Sequence, residues 1–170
     1  MSDFDFNTPP WFLDLVRKLS PTGRIGLDPC SNSFSVVSAE EIYRPPDDGL
    51  AHSWRGHGLV FVNPPHSMSP NNIEPWMKKA HEEFIGKPLD TFDDTPQDQL
   101  VMLVPAKTDT EWFHRHASKF VAHCFLEGRP RFWHQGRETE GPGKFASLVI
   151  YHGPNTGIFM GIFGPYGWIV

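Results

Sequence analysis

The chain has 170 residues, a formal net charge of −5 and two cysteines, Cys30 and Cys124. This length indicates one domain over residues 1–170 and is too short for a catalytic domain plus a separate recognition domain. The negative charge excludes binding of phosphates by a general basic excess, the cysteines provide no disulfide or paired-cysteine metal framework, and no apolar run is long enough to span a membrane, which indicates a cytoplasmic protein.

The first predicted element is a helix that begins after Thr8-Pro9-Pro10 and ends before Ser20. Apolar residues recur at helical spacing from Trp11 to Leu19, and proline is tolerated in the first turn of a helix. Thr8 or Asn7 can therefore cap this helix. The N–H groups at a helix start also suit a ligand carboxylate, so a binding role stays open beside the capping role.

A short strand is predicted from Arg24 to Asp28, and it leads into the small residues Pro29-Cys30-Ser31. An acidic side chain at the end of a strand, followed by residues that let a ligand approach the backbone, suits an ammonium group or ribose hydroxyls. An Asp-Pro pair is more often only a turn, so a structural role for Asp28 is the alternative.

The next predicted strand, Leu59 to Val62, stops at Asn63 because Pro64 and Pro65 fix the backbone and lack N–H groups. Four apolar residues in a row are typical of a strand buried on both faces. Asn63 and His66 would then lie at the carboxyl end of a strand, where open α/β sheets bind ligands. The amide oxygen of Asn63 and the carbonyl of Pro64 are hydrogen-bond acceptors, and His66 adds a flat ring.

The middle of the chain alternates helical and extended patterns. Asn71 or Asn72 can cap the first of these helices, and Thr108 to Glu111 matches a capping box at the start of the second. The predicted elements are a helix over residues 73–84, an acidic mobile excursion over 86–99, a strand over 100–104 and a helix over 110–120.

Strands dominate the last third of the chain. They are predicted over residues 121–126 and 144–151, and the apolar tail 158–170 forms either a last strand or a loosely packed segment. Strands that alternate with helices early and follow one another late predict an α/β fold, with a mixed, mainly parallel sheet that has an antiparallel edge and is flanked by helices.

The segment 129–144 combines basic and aromatic residues, a pattern that is typical of nucleic-acid contacts. A solvated strand edge is the alternative for the same residues. Lys107, at the end of a strand, is a further candidate for a phosphate contact. The candidate DNA-binding residues are Lys107, Arg129, Arg131, Trp133, Arg137 and Lys144.

The histidines do not predict a metal site. His114, His116 and His123 are not spaced four residues apart, as two ligands on one helix face would be, and no Cys/His finger spacing is present.

Four motifs together resemble the small, phage-type DNA N-6-adenine methyltransferase family. One is Asn-Pro-Pro after an apolar strand, at Asn63, although that family usually has Tyr where this chain has His66. The others, in the order of that family, are Thr8-Pro9-Pro10-Trp11-Phe12, Leu27-Asp28-Pro29-Cys30-Ser31 and the segment 103–113, Leu-Val-Pro-Ala-Lys-Thr-Asp-Thr-Glu-Trp-Phe.

The resemblance implies a minimal Rossmann-like methyltransferase fold, S-adenosylmethionine as the methyl donor and a phage or prophage enzyme of a bacterial cytoplasm. It implies a cofactor pocket made of Thr8, Pro9, Asp28, Pro29, Cys30, Ser31 and Asn63. Asp48 joins this set because Asp48-Gly49-Leu50 and Trp54 resemble a further family pattern, although a solvated turn acid is its alternative role.

The chemistry that the resemblance implies is methylation of an adenine flipped out of double-stranded DNA, with Asn63, Pro64, Pro65 and His66 as the catalytic set. Neighbouring possibilities keep the donor but change the acceptor to cytosine N4, RNA adenine or a glutamine side chain. A non-catalytic nucleic-acid or nucleotide-binding module with a decayed site is a different class of function. The sequence does not distinguish a monomer from a homodimer.

Overall fold

A computed structural model of the chain describes residues 6–65, 73–86 and 98–170 and shows a mixed α/β fold. The four α-helices of these residues are α1 (Pro10–Arg17), α2 (Glu74–Phe84), α3 (Glu111–Arg115) and α4 (Thr156–Phe163). The strands are β1 (Phe6–Asn7), β2 (Leu27–Asp28), β3 (Glu41–Ile42), β4 (Leu59–Val62), β5 (Gln99–Pro105), β6 (Ala122–Leu126), β7 (Trp133–His134), β8 (Arg137–Glu138), β9 (Ser147–His152) and β10 (Gly167–Ile169).

Seven strands form the main sheet, in the order β10-β6-β9-β5-β4-β2-β3. The pairs β3/β2, β2/β4 and β4/β5 are parallel, whereas β5/β9, β9/β6 and β6/β10 are antiparallel. A smaller antiparallel sheet has the order β1-β7-β8. The carboxyl ends of β2, β4 and β5 therefore point to one edge of the main sheet.

Alternating side chains of the central strands divide the apolar core between the two faces of the sheet. Leu59 and Phe61 of β4 belong to the cluster that contains α1 and α4, whereas Val60 and Val62 belong to the cluster that contains α2 and α3. All of β4 and β5 is buried. This two-sided burial explains their continuous apolar sequences, because a strand covered on both faces has no polar side.

The mixed α/β fold expected from the sequence is confirmed. Its antiparallel part is larger than the predicted edge, because three of the strand pairs in the main sheet are antiparallel. Parallel neighbours need a crossover connection, which is usually a helix. Residues 127–146, between β6 and β9, contain no helix and instead form β7, β8 and irregular loops. The strand β9 therefore returns antiparallel between β5 and β6.

Two capping predictions are wrong. The N-cap of α1 is Pro9, with no side-chain cap, because the Thr8 hydroxyl accepts a hydrogen bond from Asn63 instead. The N-cap of α3 is Thr110, whose hydroxyl donates to the Lys107 carbonyl at 2.7 Å, and no capping box forms with Glu111. The predicted long helix is also divided, since α3 is followed by a 3-10 turn at Ala117–Lys119.

The segments left open by the sequence have mixed outcomes. Asn71, Asn72 and residues 87–97 of the acidic excursion lie outside the described residues. Asp98 is held by the N–H groups of Gly56 and Gly58, at 2.8 and 3.1 Å, and leads directly into β5. The tail forms α4 and then β10.

Among the helices of the described ranges, none has the length and apolarity to cross a membrane.

A buried hydrogen-bond network joins β5 and β9 to the segment after α1 and to the N-cap of α4. The Tyr151 hydroxyl donates to Gln99 Oε1 and accepts from the Asn155 N–H, both at 2.9 Å. Gln99 Nε2 in turn donates to the Leu19 carbonyl at 3.2 Å. Tyr151 is fully buried and Gln99 nearly so, which makes the network costly to break because its groups cannot turn to water.

Replacing Tyr151 with Phe should lower the free energy of unfolding by about 1–3 kcal/mol, because Gln99 Oε1 and the Asn155 N–H lose their partner in a buried place. Urea unfolding followed by far-ultraviolet circular dichroism measures this change. The matched control is Tyr43→Phe, since the Tyr43 hydroxyl bonds only to the exposed Glu41. Equal free energies of unfolding for the two variants would contradict a stabilising role of the Tyr151 hydroxyl.

Candidate functional site

A cavity of about 340 Å³ lies at the carboxyl ends of the parallel strands. Ser31 after β2, Asn63 after β4 and Pro105 at the end of β5 line one side of it. Phe132, directly before β7, and residues 139, 141–145 and 147, which lead to the start of β9, complete the lining. A cavity of this size at this edge of an open α/β sheet suits a ligand of nucleotide size.

Asn63 is oriented by a hydrogen bond that it donates to a residue distant in the sequence. Its Nδ2 donates to Thr8 Oγ1 at 3.0 Å, and Thr8 is 2% exposed. Its Oδ1 is buried and has no hydrogen-bond partner among the described residues. The prolines that stop β4, Pro64 and Pro65, line the cavity beside it. One of the two amide N–H groups is thus engaged, which orients the side chain and leaves the amide oxygen as an acceptor for a ligand.

Asp28, at the end of β2, is a buried carboxylate under the loop that lines the cavity. Its Oδ1 accepts from the Cys30 N–H at 3.1 Å, and its Oδ2 lies 3.5 Å from the Ser35 hydroxyl. Burial raises the pKa of Asp28 to about 6, against the lowering effect of the Cys30 N–H. No Lys or Arg of the described ranges forms an ion pair with it, so the charge is compensated only by hydrogen bonds.

The loop after Asp28 contributes two groups to the cavity lining. Ser31 Oγ is buried at the cavity lining, and its interaction with the Asp28 carboxylate lowers the pKa of Asp28. Burial, and then the negative charge of Asp28, raise the pKa of the Cys30 thiol. Cys30 is therefore a neutral wall of the cavity rather than a nucleophile, and Ser31 is a second polar group available to a ligand.

Sequence reasoning missed the aromatic lining of the cavity, which is formed by Phe6, Phe132 and Phe145. The Thr139 N–H donates to the Phe132 carbonyl at 2.9 Å, which holds this wall together. The ammonium group of Lys107 lies 4.4 Å from the centre of the Phe145 ring, at cation–π distance. The basic and aromatic pattern marks Phe132 but not its position at the cavity, because the three rings come together only through the smaller sheet and the loop before β9.

The structure brings most of the predicted cofactor residues to this place. Cys30, Ser31 and Asn63 line the cavity, and Thr8 and Asp28 contact that lining through hydrogen bonds. Pro9 follows Thr8 as the N-cap of α1. The Pro29 carbonyl packs so tightly against Gly49 that a Cβ there would lie 1.8 Å from the oxygen.

Asp48 and His66 have different outcomes. Asp48 is exposed, and its Oδ1 accepts from the Leu50 N–H at 2.9 Å, which is the geometry of a turn-stabilising acid. It does not line the cavity. His66, the predicted stacking residue, lies outside the described residues.

The predicted DNA-binding residues lie on and around the aromatic wall. Lys144 lines the cavity, and Arg129 donates to its carbonyl at 3.2 Å. Trp133 is half-buried in β7, opposite Asn7 and Glu138. Arg129, Arg131 and Arg137 are exposed. Within the described ranges, no group of three or more His, Cys, Asp or Glu side chains is placed to hold a metal ion.

The fold and the cavity define a mixed α/β protein with a ligand-sized site at the carboxyl ends of its parallel strands. The family model described as DNA N-6-adenine-methyltransferase (Dam) matches residues 6–156. The chain belongs to this family, which confirms the resemblance of its motifs and assigns it adenine methylation of DNA in general. No curated protein and no solved structure matches the chain.

Replacing Asp28 with Asn should stabilise the protein above pH 6. The folded pKa of about 6 exceeds the ordinary value of 3.8, so the folded protein binds more protons than the unfolded chain between these values, and stability falls as pH rises through them. The difference corresponds to at most about 3 kcal/mol. An Asn oxygen can still accept from the Cys30 N–H.

Urea unfolding should therefore give Asp28→Asn a gain of about 2–3 kcal/mol at neutral pH that disappears near pH 4. Asp48→Asn is the matched control for an exposed turn carboxyl. A gain that does not change with pH would rule out burial of the Asp28 charge as its cause.

Proposed function

We propose that the protein transfers a methyl group from S-adenosylmethionine to the exocyclic amine of an adenine flipped out of double-stranded DNA. The observation that carries this proposal is the buried Asn63 Oδ1, which lines the cavity without a partner among the described residues while Nδ2 is held by Thr8. A hydrogen-bond acceptor held in this way suits an amine that brings its own N–H donors.

The residues at the cavity suit the proposed donor. The cavity has the volume of a small-molecule site, and the Ser31 hydroxyl lies on its lining. The residues proposed to hold the donor are Thr8, Pro9, Asp28, Pro29, Cys30, Ser31 and Asn63. Asp48 stays a proposed member of this set, since the next residue, Gly49, packs against the Pro29 carbonyl. When bound, S-adenosylmethionine supplies an electrophilic methyl group on a positively charged sulfur.

Asp28 makes this binding dependent on pH. With a pKa of about 6, its carboxylate is charged at neutral pH and compensated only by hydrogen bonds. A ligand that carries an ammonium or sulfonium group would balance that charge. Affinity for a cationic ligand should therefore fall as pH drops below about 6, when Asp28 takes up a proton.

The proposed task of Asn63 is alignment of the acceptor amine. The lone pair of an adenine amine is delocalised into the ring, which makes the nitrogen a poor nucleophile. Acceptance of the two amino hydrogens by Asn63 Oδ1 and the Pro64 carbonyl favours a pyramidal nitrogen whose lone pair is directed outwards. The double proline holds both oxygens in a stiff turn, so little reorganisation is needed during the reaction.

A flipped base also needs flat apolar surfaces on which to stack. His66 is the proposed stacking residue from the Asn-Pro-Pro motif. The rings of Phe132 and Phe145 on the cavity wall support base binding, because aromatic faces contribute about 1–3 kcal/mol per stacked base. We further propose that the whole chain is one minimal Rossmann-like methyltransferase domain.

An amide oxygen does not by itself distinguish adenine from cytosine N4, RNA adenine or a glutamine amide, all of which carry an amino group. Family membership favours adenine in DNA. A non-catalytic binding module would retain the cavity and lack methyl transfer, so the same assay separates all of these functions.

The wild-type protein should transfer labelled methyl groups from S-adenosylmethionine to unmethylated double-stranded DNA. Asn63→Ala should reduce kcat by about 100- to 1,000-fold, the cost of removing one preorganised hydrogen-bonding group from a reacting centre. Binding of the cofactor, measured by calorimetry, should change only a few-fold. The label should appear on adenine N6 after digestion to nucleosides.

Variants of Thr8 provide a matched pair for this experiment. Thr8→Ser keeps the hydroxyl that holds Asn63 Nδ2 and should retain activity, whereas Thr8→Val removes it and should reduce kcat. Cofactor binding without transfer to any acceptor would indicate the non-catalytic module instead. Label on cytosine or RNA would change the acceptor, and full activity of Asn63→Ala would refute the proposed mechanism.

Replacing Arg129 and Arg131 with Glu should weaken DNA binding and reduce the slope of log K against log salt by about 2, because each phosphate contact contributes about one unit. Fluorescence anisotropy at several salt concentrations measures both quantities. The control carries Arg24→Glu and Lys78→Glu, which alter exposed basic residues outside the 129–144 segment. Equal effects of the two double variants would exclude a specific phosphate contact.

A further inference from the structure

The end of the chain exposes an unusual amount of apolar surface. Residues 153–170 include no charged side chain. Trp168 is 69% exposed and Val170 59% exposed, in or next to β10, while Ile158 and Met160 of α4 are each about half exposed. Soluble monomers rarely leave so many large apolar side chains in contact with water, and such clusters mark interaction surfaces.

Among the described residues, β10 is also the outermost strand of the main sheet, next to β6, and so forms one of its edges. His123 and Val170 exchange both of their backbone hydrogen bonds, each at 2.9 Å. Hydrogen-bonded and non-hydrogen-bonded residue pairs alternate in an antiparallel ladder. The backbone groups of Trp168 therefore exchange hydrogen bonds with those of its register partner, Phe125. The N–H and C=O groups of Gly167 and Ile169 therefore point away from β6.

We propose that this edge, with α4, is a homodimer interface in which β10 pairs antiparallel with β10 of a second copy. The edge is self-complementary about Trp168. A two-fold axis through that residue places Gly167 of each copy opposite Ile169 of the other, in bonded pairs that use the four outward groups. The two Trp168 side chains then form the central non-bonded pair, where side chains lie closest.

The position of α4 agrees with this arrangement. This helix packs on β6, β9 and β10, so it lies on one face of the sheet next to the open edge. Two-fold pairing of the edges puts both copies of α4 on the same face of one continuous sheet. Gly157, Gly161 and Gly164 have open space beside them, which allows the two helices to approach closely.

The exposed area and the charge favour a second copy over other occupants. The exposed apolar side chains at this edge, including Trp11 stacked on Tyr166, present roughly 600–800 Å², close to the ~800 Å² per partner of a standard interface. The absence of charge in residues 153–170 avoids repulsion between two chains that each carry −5. It also leaves no basic group there for a nucleic acid.

The dimer is independent of the proposed catalytic function, because neither β10 nor α4 lines the cavity. Sedimentation velocity of the full chain at about 1–100 μM should show a dimer. Trp168→Glu should raise the dissociation constant at least ~100-fold, because it places two carboxylates side by side at the centre of the interface. The matched control is Ile42→Glu, which changes an exposed residue on the opposite edge strand, β3, and should stay dimeric.

Met160→Glu, on the exposed side of α4, provides a second variant, and circular dichroism checks the fold of each protein. Dissociation by Met160→Glu supports the interface even if Trp168→Glu does not fold. A wild-type monomer at the highest concentration would overturn the proposal. A dimer that survives both Trp168→Glu and Met160→Glu would overturn it as well.

Discussion

The hydrogen bond from Asn63 Nδ2 to Thr8 Oγ1 is the constraint on which the site depends. It joins the segment before α1 to the end of β4, 55 residues away, and Thr8 and the Asn63 amide oxygen are both buried. An Asn side chain can present either its donor or its acceptor. Because Thr8 accepts one N–H of the amide, the side chain is held with its oxygen available to an incoming amine. The stiff turn at Pro64 and Pro65 keeps that oxygen beside the cavity.

Other polar groups at the site are buried in ways that lower the stability of the fold. Burial raises the pKa of Asp28 to about 6, no Lys or Arg of the described residues forms an ion pair with it, and the Ser31 hydroxyl is buried beside it. Each arrangement makes the protein less stable than an apolar or paired alternative would. Uncompensated polar groups that gather at one cavity are typical of a site whose missing partners belong to a ligand.

The sequence predicted the parts of the fold that local chemistry determines. Continuous apolar runs marked β4 and β5, and the double proline marked the end of β4 and hence the position of Asn63. The Thr8–Asn63 hydrogen bond escaped prediction because tertiary contacts decide which partner a hydroxyl takes, and Thr8 was expected to cap α1. The aromatic wall of Phe132 and Phe145 escaped for the same reason. The uncharged tail resembled a strand or a loose end, since its glycines hide the helical period of α4.

The most direct test of the account is a crystal structure of the protein with S-adenosylhomocysteine, the product that the donor leaves after methyl transfer. The account predicts that this molecule occupies the cavity between Ser31 and Phe132, with its sulfur directed towards Asn63 and the amide oxygen of Asn63 still available to a second ligand. A molecule bound elsewhere, or an Asn63 amide turned so that its oxygen faces Thr8, would contradict the account.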